Sequence, residues 1–268
     1  MRRKPAVAGY FYPSREKELL AMVGEMVEPE REKEKALCVV SPHAGFIYSG
    51  PVAGAVFSSV ELPDFFVLLG PSHGGIISQA ALMKEGIWET PLGDVPLERE
   101  LAELIINNSS LVTEDAGAHS GEHSLEVQLP FIQYFKKNIS IVPVVLSASI
   151  SYPELQELGE AVAAGIKEFK KEVLIVASTD MSHYVSEKEA REKDTLAIDK
   201  VLALDPEGLF ETVRKEGISM CGFQPTTAAL VACRILGAKK AELVRYQTSG
   251  DTSGDYDQVV GYAGIRIN

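Results

Sequence analysis

Five histidines and three cysteines are the side chains of this chain best suited to hold a metal ion or move a proton near neutral pH. Three of the histidines follow one local pattern, an apolar run that stops on a small or polar turn. Leu37-Cys38-Val39-Val40 runs into Ser41-Pro42-His43-Ala44-Gly45, and Phe65-Phe66-Val67-Leu68-Leu69 into Gly70-Pro71-Ser72-His73-Gly74-Gly75. Val173-Leu174-Ile175-Val176 runs into Ala177-Ser178-Thr179-Asp180-Met181-Ser182-His183. Glycines beside His43 and His73 let the backbone approach a ligand closely. Asp180, on the same turn as His183, supplies a carboxylate that could fix the tautomer of a neighbouring imidazole, with His183 as ligand or general base. Cys221 lies just ahead of a helix opening at Gln224-Pro225-Thr226. Unpaired N–H groups at a helix start stabilise a thiolate, for metal ligation or for nucleophilic attack. Cys38 and Cys233 fall inside apolar strand and helix patterns and read as inert core.

Two further patterns invite a metal and lack its context. His119-Ser120-Gly121-Glu122-His123 matches the H-x-x-E-H arrangement of inverted zinc peptidases, which needs both histidines on one helical face. Here Gly117 and Gly121 flank the stretch and Ser124 reads as a cap, so a loop is expected. From it His123, beside Glu122, could still reach a site as a polarising group. Asp251, Ser253, Asp255 and Asp257 alternate like the start of a calcium loop, but the mid-loop glycine and the closing glutamate are missing, so a solvated turn or lid is expected.

The elements that position these residues follow from periodicity. Short continuous apolar runs bounded by turns are strands buried on both faces, and open α/β sheets gather ligands outside the carboxyl ends of such strands. Between them, Ser14 is expected to cap a helix carrying Leu19, Leu20, Met22, Val23, Met26 and Val27, and Pro51 to sit in the first turn of a helix over 52–60. Asp94 with Pro96 opens a helix through Leu97, Leu101, Leu104 and Ile105, and Ser124 opens another that Pro130 kinks or restarts. Pro143 places the strand over 139–146 at an edge or a bulge. Ser151 and Glu154 form a capping box ahead of Leu155, Leu158, Val162 and Ile166. A charged helix near 188–204, a shorter one from Asp205-Pro206, a helix over 226–236 ending at Gly237, and strands over 243–246 and 259–267 complete the chain. Strands alternating with helices, with no repeat and no linker, predict a single α/β/α domain over residues 1–268.

Composition narrows the function classes. With 26 basic and 38 acidic residues the net charge is −12, which repels a phosphate backbone, and no basic patch offsets it. Met1-Arg2-Arg3-Lys4 leads into Pro5 rather than an apolar stretch, so no secretory leader is expected. No apolar run has membrane-spanning length. Three cysteines at unrelated spacings argue against a disulfide framework and for a reducing compartment, so a cytoplasmic protein is expected.

Taken together, five segments resemble the Memo family, also called AmmeMemoRadiSam system protein B. They are Pro42-His43-Ala44-Gly45-Phe46-Ile47-Tyr48, Leu69-Gly70-Pro71-Ser72-His73, Glu122-His123-Ser124-Leu125-Glu126, Ser178-Thr179-Asp180-Met181-Ser182-His183, and Cys221-Gly222 with Pro225. Thr90-Pro91-Leu92-Gly93-Asp94 and Tyr262-Ala263-Gly264 also look like family positions. The resemblance runs nearly end to end. It implies a fold similar to class III extradiol dioxygenases, non-haem iron enzymes, with a three-layer α/β/α sandwich around a mostly parallel or mixed sheet. It also implies metal positions at His43, His73 and Cys221, with Asp180 and His183 beside them. Where the dioxygenases place a carboxylate as third ligand, this sequence has Cys221, a departure from the facial triad of oxygen-activating iron sites. A His/His/Cys set suits iron, copper or zinc.

The leading expectation is a mononuclear metal-dependent redox protein holding Fe(II), with Cu or Zn as alternatives. His183 acts as base, and Asp180 and His123 orient or polarise an unknown small-molecule or peptide substrate. Two other readings stay open: a metal-free hydrolase or transferase with Cys221 as nucleophile, and a binding module that keeps an enzyme-like cleft for a peptide or protein. The family's alternative name adds a radical-SAM protein and a companion domain as expected partners.

Overall fold

Side chains of a strand alternate between two faces, so a run that is apolar at every position needs a packed layer on each side. The computed structural model, which describes residues 1–74 and 78–268, provides both layers. Gly75, two residues after His73 in the sequence, lies outside the described residues. The strands are β1 (Arg2–Arg3), β2 (Cys38–Ser41), β3 (Phe65–Pro71), β4 (Ala80–Leu82), β5 (Ile87–Thr90), β6 (Gly93–Pro96), β7 (Val112–Glu114), β8 (Ser140–Leu146), β9 (Val173–Ser178), β10 (His183–Val185), β11 (Ala241–Thr248) and β12 (Val259–Ile267). The helices are α1 (Glu16–Met26), α2 (Phe46–Ser58), α3 (Arg99–Asn107), α4 (Leu129–Phe135), α5 (Tyr152–Phe169), α6 (Glu187–Leu202), α7 (Pro206–Lys215), α8 (Phe223–Leu236) and α9 (Gly250–Ser253).

The main sheet runs β10-β12-β2-β9-β3-β8-β4-β7, with β11 also paired to β12. Its centre, β2-β9-β3-β8, is parallel, while β12 and β4 join antiparallel on either side, so the sheet is mixed. Cys38, Val40, Val67, Leu69, Ile175 and Ala177 face a core shared with α3, α5, α6, α7 and α8. Val39, Phe66, Leu68, Leu174 and Val176 face the opposite core, closed by α1, α2 and α4. The small sheet β1-β5-β6 lies on that second side and contributes Trp88 and Val95. Each fully buried Leu or Val contributes roughly 1.5–3 kcal/mol, which gives the carboxyl ends of the central strands a rigid base. The architecture is the three-layer α/β/α sandwich expected.

Several local expectations need correction. Pro143 lies in β8, an interior strand, opposite Leu68 of β3. It is tolerated because Ile141 turns its carbonyl away from β3 to accept the Glu98 N–H, and by two-residue alternation Pro143 faces the same way. There β4 has already ended, with Leu82 opposite Val144, so no ladder bond is lost. Pro51 is not in a first turn: α2 starts at Phe46, and the Ile47 carbonyl that Pro51 cannot satisfy accepts from Thr252 Oγ1 at 3.4 Å. Asp94 and Pro96 belong to β6, and α3 is capped by Glu98. Arg15, not Ser14, is the residue at the start of α1. The segment after Ser124 makes a 3₁₀ turn over Glu126–Gln128, and Pro130 sits in the first turn of α4. The Ser151 capping box, the Asp205 cap on Gly208 N–H and the left-handed Gly237 close their helices as the sequence indicates. Helix α8 begins at Phe223, three residues early, which brings Cys221 closer to its start.

Candidate metal centre

His43, His73 and Asp180 each lie two residues beyond the last residue of a parallel central strand, β2, β3 and β9 respectively. Ser41 pairs with Ser178 at the common edge, so the three loops leave the sheet side by side. The loop after β7 adds Glu122 and His123, β10 begins with His183, and the approach to α8 adds Cys221. The rings of His43 and His73 are 5.2 Å apart between centroids, and His123 stacks on His73 at 4.6 Å. Cys221 Sγ lies 3.3 Å from His43 Nε2 and accepts the Asp180 main-chain N–H at 3.3 Å. His43, His73 and Cys221 offer ligand atoms within 4.8 Å of one another.

The partners of each imidazole fix which nitrogen is left free. Ser178 Oγ donates its one hydrogen to the Ser124 carbonyl at 2.6 Å and accepts from Gln128 Nε2 at 2.9 Å. At 2.9 Å from that oxygen, His43 Nδ1 therefore donates, and Nε2 keeps its lone pair. His73 Nδ1 faces Glu122 Oε1 at 2.9 Å, and His183 Nδ1 faces the Ser219 carbonyl at 2.8 Å. Both acceptors impose the same tautomer. Anchoring Nδ1–H to a fixed acceptor while Nε2 stays free is how proteins orient metal-bound histidines.

Asp180 does not orient an imidazole through its ring nitrogen. Its Oδ1 accepts the His43 main-chain N–H at 2.7 Å, and Oδ2 stands 4.0 Å from His43 Nε2. Glu122 accepts N–H groups from His73 at 2.6 Å and Ser124 at 2.8 Å, besides its contact with the His73 ring. Arg3 secures that loop from behind. It donates to the carbonyls of His119 (2.6 Å) and Glu122 (2.5 Å) and pairs with buried Glu126 at 2.8 Å. Glu126 in turn accepts from Tyr12 Oη and from the main chain of Ala6 and Val7.

Burial, then the neighbouring His73 and His123, hold His43 well below the usual histidine range. His123 is lowered by burial and by His73. Burial works against His73 too, yet its bond to Glu122 raises it, and the same contacts lower Glu122 despite burial. Burial raises Asp180. Burial and the Asp180 carboxylate also raise the Cys221 thiol.

Helix α8 meets the end of β9 closely because residue 222 is glycine. Gly222 N–H donates to Thr179 Oγ1 at 2.9 Å, and a Cβ there would run into the Ser178 carbonyl and the Thr179 side chain. The H-x-x-E-H stretch divides. His119 closes a 3₁₀ turn and is buried beside Trp88, while Glu122 and His123 lie in the loop, so no helix unites the two histidines. In the calcium-like segment, residues 250–253 form α9 and Asp251 accepts the Thr248 N–H at 2.8 Å. Sequence reasoning missed Ser178, Gln128 and Ser219 and the role of Glu122. The one available signal was polar residues, Ser178 and Gln128, set in otherwise apolar stretches.

A family model described as Memo-like protein matches residues 3–266. The chain belongs to the Memo-like family. A MEMO1 family protein from Pyrobaculum arsenaticum is 44% identical, covering 99% of each chain. Another from Methanopyrus kandleri is 41% identical over 99% of this chain and 98% of its own. One from Thermotoga petrophila is 41% identical over 98% of both. Among solved structures, an uncharacterized protein from Escherichia coli K12 superposes with a TM-score of 0.52 at 14% identity, over 85% of this chain and 99% of that one. That likeness concerns the fold alone. Among the described residues, no helix of this Memo-like chain is long and apolar enough to cross a membrane.

Proposed function

We propose that this Memo-like protein is a metal-dependent redox protein that binds iron or copper, with zinc as the redox-silent competitor, through His43, His73 and Cys221. The observation that carries the reading is the proton inventory. His43 and His73 have Nδ1 committed to fixed partners, and their ligand atoms lie within 4.8 Å of each other and of the Cys221 sulfur. Two imidazoles and a thiolate fit borderline and soft first-row ions better than magnesium or calcium. Bound there, iron or copper would supply one-electron exchange. The chain's own residues do the rest. Ser178, Gln128 and Glu122 hold the two rings, Asp180 holds the His43 main chain, and His123 packs between His73 and Phe11. His183, grouped with Asp180 and Cys221, keeps Nε2 free, the atom through which an imidazole accepts a proton or a metal ion. A small molecule or a peptide segment is the substrate class proposed.

The metal-free hydrolase reading is the weaker one. Cys221 sits in a buried site beside a carboxylate, which favours the thiol over the free thiolate that nucleophilic attack requires. Anaerobic purification followed by elemental analysis tests the proposal. Wild type should carry near-stoichiometric metal, and His43→Ala or Cys221→Ser should lose it. Wild-type protein that is isolated metal-free and then takes up neither Fe, Cu nor Zn would sink it.

A further inference from the structure

Large apolar side chains left on a protein surface gather where something binds, and tyrosine suits such places because its ring is apolar and its tip is polar. Of nine tyrosines, four are exposed among the described residues: Tyr10 (90%), Tyr184 (74%), Tyr256 (47%) and Tyr48 (40%). All four lie on segments beside the histidine cluster. The Tyr184 ring stands 6.0 Å from the His183 ring between centroids. Tyr10 precedes Phe11, whose ring meets His123 edge-on at 4.8 Å. The Phe11 carbonyl accepts the Phe46 N–H at 2.8 Å, which ties this loop to the start of α2, where Tyr48 lies. Tyr256 packs against α9, where a Cβ at Gly250 would strike its ring, and Thr252 Oγ1 joins that segment to the Ile47 carbonyl. Tyr184 is held at φ 56°, which is costly for a bulky side chain, and strain of this kind concentrates at ligand-binding positions.

Charge on these segments is one-sided. Residues 5–14, 41–50, 70–74, 119–126, 178–186, 219–226 and 249–258 carry every histidine and the four tyrosines, and none of the chain's 26 lysines and arginines. They do carry Glu122, Glu126, Asp180, Asp251, Asp255 and Asp257. Arg3 neutralises Glu126 from outside them, and His73 matches Glu122. Asp251 feels Arg191, itself paired with Glu187. Asp255 and Asp257 are exposed and, among the described residues, pair with no lysine or arginine. A surface of one sign repels carboxylates and phosphates and concentrates cations.

Tyr262 adds a recessed polar group. It is 2% exposed, and among the described residues its hydroxyl has no hydrogen-bond partner, although buried hydroxyls ordinarily have one. Asp180, Tyr48 and Tyr184 are its charged and titratable neighbours. Asp180 is 4% exposed and has no lysine or arginine partner among the described residues. A cation resting there meets a carboxylate, a hydroxyl oxygen and two aromatic rings of the kind that attract positive charge.

We propose that this surface binds a small organic cation, an ammonium or guanidinium group on an apolar body, with its charged head among Tyr48, Tyr184, Tyr262 and Asp180. Asp255 and Asp257 raise the local concentration of such a ligand. The occupant is a compact head group rather than a polypeptide, because Asp180 and Tyr262 are nearly closed to solvent. The proposal rests on the reading above that the histidine cluster is the functional site, and it names the class of its small molecule.

Choline is a suitable probe, because its quaternary nitrogen cannot ligate a metal ion. Its comparisons are dimethylbutanol, the same molecule with an uncharged tert-butyl group, and dimethylbutanoate, the matching anion. Each is titrated into the full chain carrying isotope-labelled tyrosine, both as purified without oxygen and after chelator treatment, with the tyrosine ring signals followed by NMR. Choline should bind roughly tenfold more tightly than dimethylbutanol, with the carboxylate weakest and the Tyr48 and Tyr184 signals moving. Tyr184→Ala should remove most of the choline preference, and Asp255→Asn with Asp257→Asn should flatten its salt dependence. Circular dichroism checks the fold of each variant. Equal affinity for choline and dimethylbutanol, tighter binding of the carboxylate, or no binding of any of them overturns the proposal. A choline preference untouched by Tyr184→Ala overturns it too. So does a trimethyllysine peptide bound much more tightly than choline, which assigns the surface to a polypeptide. Elemental analysis of the same samples reads the metal proposal separately: a chain that takes up no metal and still prefers choline defeats that reading alone.

Discussion

Glu122 meets more N–H donors than a neutral amide could serve. His73 main-chain N–H, His73 Nδ1 and Ser124 N–H all converge on its two oxygens. In Glu122→Gln one oxygen becomes an NH₂ group pointed at a donor, and the His73 ring loses its anchor. Supporting partners of metal-bound histidines are worth about 10–100-fold in metal affinity. Glu122→Gln should therefore bind Zn(II) about tenfold or more weakly in a competitive chelator titration, with the fold intact by circular dichroism. Unchanged affinity would mean that Glu122 has no hold on the ligand. His43 is secured differently, by a hydroxyl whose single hydrogen is already spent and which lies 135 residues away in the chain.

At the scale of elements, the centre depends on how closely α8 approaches the end of β9. Gly222 makes that approach possible, since a Cβ would press on the Ser178 carbonyl and the Thr179 side chain, both bordering Asp180. Gly222→Ala should force the helix start outward, carry Cys221 away from His43, and destabilise the fold by about 1–3 kcal/mol, as overpacking does. Denaturant unfolding measures the stability, and metal retention reports the displacement. A variant that matches wild type in both would show that the junction has slack. The strands that carry the histidines were legible because burial on both faces leaves an unbroken apolar run. The prolines misled for a different reason. Pro143 and Pro51 sit inside elements because particular partners, the early end of β4 and Thr252 Oγ1, remove the usual penalty. Such partners are remote in sequence.

For the whole molecule, the buried histidines predict how the metal-free protein responds to acid. Burial first, then Arg3, holds His119 down to about 4, and His43 and His123 are lowered by burial and by their neighbours. These groups stay neutral in the folded state, whereas the unfolded chain takes up protons from about pH 6.5 downward. Their contribution is complete above that pH and is lost as pH falls toward the folded values. For His119 alone the shift corresponds to roughly 3 kcal/mol. His73 has the opposite sign. Its raised value means that its pairing with Glu122 contributes fully below about pH 6.5 and fades as pH rises through the folded value. With three histidines lowered against one raised, the thermal midpoint should fall between pH 6.5 and 4, the raised buried carboxyls of Asp180 and Asp194 opposing part of that fall, and His119→Gln should flatten it. A flat wild-type profile over this interval would contradict the burial argument.

The sequence by itself determined the strand-and-helix alternation, the two-faced burial of β2, β3 and β9, and the presence of His43, His73 and Asp180 just past their carboxyl ends. Those are consequences of local periodicity and turn chemistry. It also singled out Cys221 by its place ahead of a helix, and its likeness to a family implied the third metal position there. Only the tertiary structure decided that β9 lies between β2 and β3 and that the 119–126 loop is pinned by Arg3. It alone decided that Ser178, Glu122 and Ser219 take the Nδ1 protons of three histidines. Strand order and loop docking depend on contacts between residues far apart in the chain, and the tautomer of an imidazole depends on the atom opposite it. Neither is written in the neighbours of a residue, so the candidate site residues could be read from the sequence and their orientation could not.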